Sequence, residues 1–243
     1  CCEPTSVYTI QRTDGLITIE GPEGPFLTEE GPYQAKDTAE FLHTLESDVV
    51  IRLQKRRPDL LFVHAGAVER QGRVHLFVAE SGSGKSTTVW ALIQNGFRYL
   101  SDELAPLRLD QHEVYPYPHA ICLKQEPAAP FALPSETLRT STTMHVPTDV
   151  FSVVPEIDAS YPLATLWFVE HDPRLVRPEI RTVSPAEAAA RLYANVLNPL
   201  AHPGAGLDAA VQAASGVPGF FLNTAELQET CELVRTTIQQ VIP

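Results

Sequence analysis

Four cysteines, one methionine and two tryptophans are all that 243 residues supply of these types, and no long apolar run occurs. Cys1, Cys2, Cys122 and Cys231 show no C-x-x-C spacing, so neither a zinc site nor a disulfide framework is expected. Thiols this sparse suit a reduced, cytoplasmic protein. No stretch approaches the ~20 apolar residues of a membrane span, and no basic start leads into an apolar signal segment. Positive charge is also short: 18 Lys and Arg stand against 30 Asp and Glu, a formal net charge of −12. Nucleic-acid binders carry the opposite balance, so DNA and RNA are excluded as main partners. The cluster Lys55-Arg56-Arg57 ends a predicted helix, where it complements the negative dipole end. No face stands out as an oligomer interface, and a homo-oligomer is left open.

With 44% hydrophobic residues the chain can bury a real core. Residues 1–58 read as short strands (Ser6 to Ile10, Leu16 to Ile19, Phe26-Leu27) and a helix from Asp37 to Arg57. They form a candidate small subdomain, and residues 59–243 the main α/β domain. There, Leu60 to Val68 and Val74 to Ala79 flank the polar link Glu69-Arg70-Gln71-Gly72-Arg73, the pattern of a β-hairpin. A hairpin centred on Gln71 sets His64 opposite the neighbourhood of Val78.

The second strand runs into Glu80-Ser81-Gly82-Ser83-Gly84-Lys85-Ser86-Thr87, and an amphipathic helix follows to Gln94. Strand, glycine loop and helix in this order turn backbone N–H groups and a helix N-terminus toward one point, as a phosphate requires. The lysine of such loops reaches the outer phosphates and the next hydroxyl holds magnesium. Ala79 occupies the place of the first glycine in G-x-x-x-x-G-K-[ST]. Gly96 ends the helix, and Phe97 to Leu100 leads to Ser101-Asp102-Glu103. A βαβ unit of this length predicts parallel strands, bringing Asp102 and Glu103 to the edge where α/β sheets hold ligands. A carboxylate there can hold Mg²⁺ or accept a proton.

Leu104 to Leu109, Val114 and Ile121 to Lys124 read as an antiparallel continuation, and Gln125 to Asp149 as a Pro/Ser/Thr-rich loop on the acceptor side. Strands follow at Ala164 to Val169, Glu179 to Val183 and Phe220 to Leu222. Ser184-Pro185-Ala186-Glu187 is a capping box opening a helix through Val196, Ala205 to Ala214 is a short helix, and Asn223-Thr224 is expected to cap a terminal one.

His64-Ala65-Gly66-Ala67-Val68, the Glu80–Thr87 loop and Ser101-Asp102-Glu103 together resemble the catalytic core of HPr serine kinase/phosphorylase and its HPr-kinase-like relatives, over about residues 60–125. That resemblance implies a P-loop-containing α/β fold, a mixed β-sheet core flanked by helices, related to the ATP-dependent phosphoenolpyruvate carboxykinases. It implies a kinase using ATP and Mg²⁺. Ser81, Gly82, Ser83, Gly84, Lys85, Ser86 and Thr87 would bind the phosphates, and Ser86, Asp102 and Glu103 the metal. Asp102 would be the base, tuned by His64, with Lys85 on the developing charge. The family pairs two aspartates; here the second is Glu103. The acceptor implied is a serine of a small protein or peptide, HPr-like or a ribosomally made lasso-peptide precursor. A small-molecule hydroxyl and a non-catalytic, nucleotide-gated role are the alternatives.

Overall fold

The computed structural model describes residues 6–29 and 31–241, and the chain divides into two compact units. Cys1 and Cys2 lie outside the described residues; Cys231 is a free thiol. Burial pushes the Cys231 thiol up to about 12, so it behaves as a small core hydrophobe.

The first unit comprises Cys1–Lys55 and Thr140–Thr142. Its sheet is built on β1 (Thr9–Thr13) and β2 (Leu16–Gly21), joined at Asp14-Gly15, both at positive φ as a tight hairpin turn needs. Two-residue strands follow: β3 (Gly24–Pro25), β4 (Leu27–Thr28), β5 (Gly31–Pro32) and β6 (Gln34–Ala35). Helix α1 (Thr38–Arg56) starts where Asp37 Oδ1 accepts from the Glu40 amide at 2.9 Å, and it stops short of Pro58.

The second unit, Arg56–Arg139 with Thr143–Pro243, holds a mixed sheet. β7 (Leu61–Val63) and β8 (Ala65–Arg70) follow each other with a break at His64, and β9 (Arg73–Val78) returns along β8. Gln71 and Gly72, both at positive φ, make the two-residue turn, which sets Ala65 opposite Val78 and leaves His64 one place beyond. Helix α2 (Lys85–Gln94) crosses to β10 (Arg98–Ser101), then come β11 (Ala105–Arg108) and β12 (Glu113–Val114). β10 is parallel to β9, as expected, but does not touch it: β8 lies between them, antiparallel to both. The hairpin partner takes the place beside β9.

β13 (Ile121–Leu123) does not continue this sheet. It pairs with β15 (Met144–Val146), which pairs with β14 (Leu138–Arg139), so the segment expected to be loop throughout carries a small sheet of its own. β16 (Tyr161–His171) then lies parallel to β9 on one side and to β18 (Gly219–Thr224) on the other, and β17 (Glu179–Val183) edges β18. Helix α3 (Pro185–Tyr193) has its Ser184 cap and ends before Val196; α4 (Leu207–Ala214) follows. The last helix, α5 (Leu227–Val241), is capped by Glu226, whose Oε2 accepts from the Glu229 amide at 2.7 Å. Asn223 and Thr224, predicted for that role, belong to β18.

Alternation along the strands sorts the core into two layers. Val74, Leu76, Val78, Leu166 and Phe168 face α3 and α4, whereas Phe77, Trp167, Phe220 and Leu222 pack with α2 and α5. α2 is therefore buried on most of its surface, which is why its apolar residues occupy more than one stripe. Among the described residues no helix is long and apolar enough to cross a membrane.

Candidate functional site

The antiparallel ladder between the β7–β8 run and the β10–β11 run is interrupted. Ala67 pairs with Ser101, and Val63 with Ala105, but between them His64–Gly66 and Asp102–Leu104 leave the ladder. The gap lies beside the N-terminus of α2. A β-carbon on Gly66 would stand 2.5 Å from Val89 Cγ2, so the absence of a side chain there lets α2 settle against β8.

Lys85, 5% exposed, reaches into the gap. Its Nζ donates to the Asp102 carbonyl, freed by the interrupted ladder, and to Asp102 Oδ1 at 3.0 Å, with Glu103 Oε1 at 3.5 Å. Burial would lower the ammonium pKa, but the two carboxylates outweigh it and hold it above its ordinary value. Glu103 Oε2 meets His64 Nε2 at 2.8 Å. Burial works to raise the Glu103 pKa; the hydrogen bond to His64 and the charges of Lys85, His64 and His119 prevail and bring it to about 2. Glu103 is therefore a fixed anion across the physiological range.

The loop before α2 is shaped by Gly82 and Gly84, at φ 89° and 88°, conformations that favour glycine. No side chain caps α2, so its first-turn N–H groups and dipole face the loop's concavity, an arrangement suited to an anion. Lys124 Nζ donates to Ser81 Oγ at 2.7 Å on the rim. A cavity of about 460 Å³ opens over this loop, within the usual range for a small-ligand site.

The structure brings His64, Ser81, Gly82, Gly84, Lys85, Ser86, Thr87 and Glu103 to the cavity wall. Ser83 turns within the loop, its amide donating to Glu80 O at 3.2 Å, and is not on the wall. Asp102 comes to Lys85 at the same place but does not line the cavity. It is fully buried beneath the wall, ion-paired to Lys85 through Oδ1, while Oδ2 has no hydrogen-bond partner among the described residues. Asp102 and Glu103 follow each other out of β10, and one of the two faces the cavity. Here that one is Glu103, whose side chain is 40% exposed.

Sequence reasoning missed His171 and Thr224, which also line the cavity. They end β16 and β18, are register partners, and bond through Nδ1 and Oγ1 at 3.2 Å. The signal was present only as two apolar runs with polar residues at their C-terminal ends. Of the loop after β13, Gln125–Ala128 reach the cavity.

Among the described residues no group of three or more His, Cys, Asp or Glu could hold a metal unaided. The Ser86 hydroxyl and the Glu103 carboxylate are oxygen donors of the kind magnesium takes when phosphate oxygens and water complete its shell, so the donor set fits a cation that arrives with phosphates.

No family model matches the chain, and no curated protein matches it in sequence. Among solved structures, the HPr(Ser) kinase/phosphatase from Coxiella burnetii aligns over 74% of this chain and 97% of its own, with a TM-score of 0.38 and 15% sequence identity. A likeness at that level assigns no activity, and the site stands on its own geometry.

Proposed function

We propose that the chain is an ATP-dependent phosphotransferase that moves the γ-phosphoryl group to a hydroxyl, its acceptor a serine of a small protein or peptide. The observation that carries this is the meeting of two sets of groups on one cavity: an uncapped glycine loop with a buried lysine, and a histidine–carboxylate pair. A protein that only bound phosphates would need the first set and not the second.

In this reading the residues from Ser81 to Thr87 hold the phosphates through backbone N–H groups and hydroxyls. Lys85 stabilises the charge that develops on the transferred group. Magnesium, when bound with the nucleotide, adds positive charge on the phosphate oxygens, and Ser86 and Glu103 are the chain's own groups for holding it. Asp102, sealed below, holds the Lys85 ammonium in place. The acceptor's proton goes to the ring of His64, which Glu103 orients; the family resemblance assigns that proton to Asp102, but a fully buried carboxylate already paired with Lys85 is badly placed to meet an incoming hydroxyl. A carboxylate held near pKa 2 is itself a weak base and suits the orienting role.

The test is incubation with ATP, Mg²⁺ and a panel of serine-containing peptides and small hydroxyl compounds, followed by mass spectrometry. A phosphate added to a peptide serine is expected. Tight ATP binding without transfer to any acceptor would replace this proposal with a nucleotide-gated binding role.

A further inference from the structure

Resting on that phosphotransferase reading, we infer that the His171–Thr224 wall is the nucleoside subsite, receiving the sugar and base of the nucleotide while the opposite wall receives the acceptor. The sheet order decides the sides. β8 and β10 lie on one flank of β9 and bring His64 and Glu103; β16 and β18 lie on the other and bring His171 and Thr224. The loop between β9 and α2 sits at the middle. Residues 117–124 belong to the first flank: the Tyr117 amide donates to Leu100 O at 3.0 Å, Tyr99 Oη to His119 O at 3.0 Å, and Lys124 Nζ to Ser81 Oγ. The groups that handle the acceptor's proton are thus gathered on one side.

A nucleoside triphosphate is linear in its chemistry, with the reacting phosphate at one end and the nucleoside at the other. If the reacting end meets His64 and Glu103, and the loop holds the phosphates behind it, the nucleoside must extend toward β16 and β18. What stands there is suited to it. The imidazole of His171 offers a flat face for a base, and with Thr224 Oγ1 it offers polar atoms for sugar hydroxyls. Ala225 and Leu227, at the start of α5, supply apolar surface. Thr224 is 3% exposed and fixed by its bond to His171, so the wall is built before anything binds. It also abuts the loop: a β-carbon at Gly84 would lie 3.7 Å from His171 Cβ and 3.8 Å from Thr224 Oγ1.

Affinities of the whole chain for ATP and for inorganic tripolyphosphate, measured by calorimetry, test this. Tripolyphosphate has the phosphates and no nucleoside. The parent should bind ATP more tightly than tripolyphosphate. His171→Ala and Ala225→Phe should each weaken ATP about tenfold or more, equivalent to ~1.4 kcal/mol, and leave tripolyphosphate within about twofold. ATP binding insensitive to both wall variants would overturn the subsite while leaving phosphoryl transfer standing. Equal weakening of both ligands would overturn it too, by showing that the wall acts through the loop. A parent that binds neither ligand would remove the phosphotransferase reading and the subsite with it.

Discussion

Nε2 of His64 stands 2.8 Å from Oε2 of Glu103, although 39 positions separate them in the chain. The contact exists because two antiparallel runs stop pairing at the same level, and it divides the carboxylate's work: Oε2 serves the histidine, and Oε1 turns toward Lys85.

If the pair acts as a unit on the acceptor's proton, Glu103→Gln and His64→Ala should each lower kcat about a hundredfold or more, with ATP affinity changed only a few-fold. The double variant should be little worse than either single one, as with groups that work together. Asp102→Asn should behave otherwise, loosening Lys85 and weakening ATP binding. Steady-state kinetics with separate binding measurements decide it. A pure kcat defect in Asp102→Asn with none in Glu103→Gln would return the proton to Asp102.

Lys85 and Asp102 are both buried, so removing one strands the charge of the other. Lys85→Met should abolish nucleotide binding and also destabilise the fold by about 3–5 kcal/mol in urea titrations. Adding Asp102→Leu should restore a good part of that stability without restoring binding. A single variant as stable as the parent would mean that the pair contributes nothing to the fold.

At Gly66 a methyl group would collide with Val89. Gly66→Ala should cost about 1–3 kcal/mol of stability, and the Gly66→Ala/Val89→Ala double variant should be less destabilised than the sum of its parts. Simple additivity would show that α2 shifts freely to accommodate the methyl.

His75 is buried, its Nδ1 2.7 Å from Thr165 Oγ1 and its ring edge-on to Phe97. Burial, helped by the charges of Arg70 and Arg73, lowers its pKa from 6.5 to about 3. The unfolded chain therefore takes up a proton there that the folded chain refuses. Stability from this group is complete above about pH 6.5 and is lost as pH falls toward 3, with a slope of up to ~1.4 kcal/mol per pH unit. In His75→Gln, urea midpoints between pH 6.5 and 4 should fall less steeply than in the parent. Parallel curves would show that the histidine is protonated equally in both states.

Much of the site was legible in local pattern. The Gln71-Gly72 turn set the hairpin register and so placed His64 within one residue, and the order of strand, glycine loop and helix around Lys85 could be read from the residues alone. What local pattern could not supply was which member of Asp102-Glu103 faces the cavity, because that depends on the twist of the chain as it leaves β10. Nor could it supply the second wall. β16 and β18 pair in parallel across a long stretch of intervening sequence, and nothing near His171 or Thr224 marks their meeting. β14 and β15 were hidden for a different reason: they are only two or three residues long and lie among prolines, where composition signals loop.

The interruption in the ladder has one more consequence. Inside a paired strand, changing a side chain disturbs neighbours above, below and across. His64 and Glu103 stand where those obligations lapse, yet the paired residues on either side, Val63 with Ala105 and Ala67 with Ser101, hold the frame. The His64 and Glu103 side chains can therefore be exchanged with little disturbance to the sheet. In the proposed phosphotransferase the acceptor side can thus be altered at these two positions while the glycine loop before α2 keeps its shape.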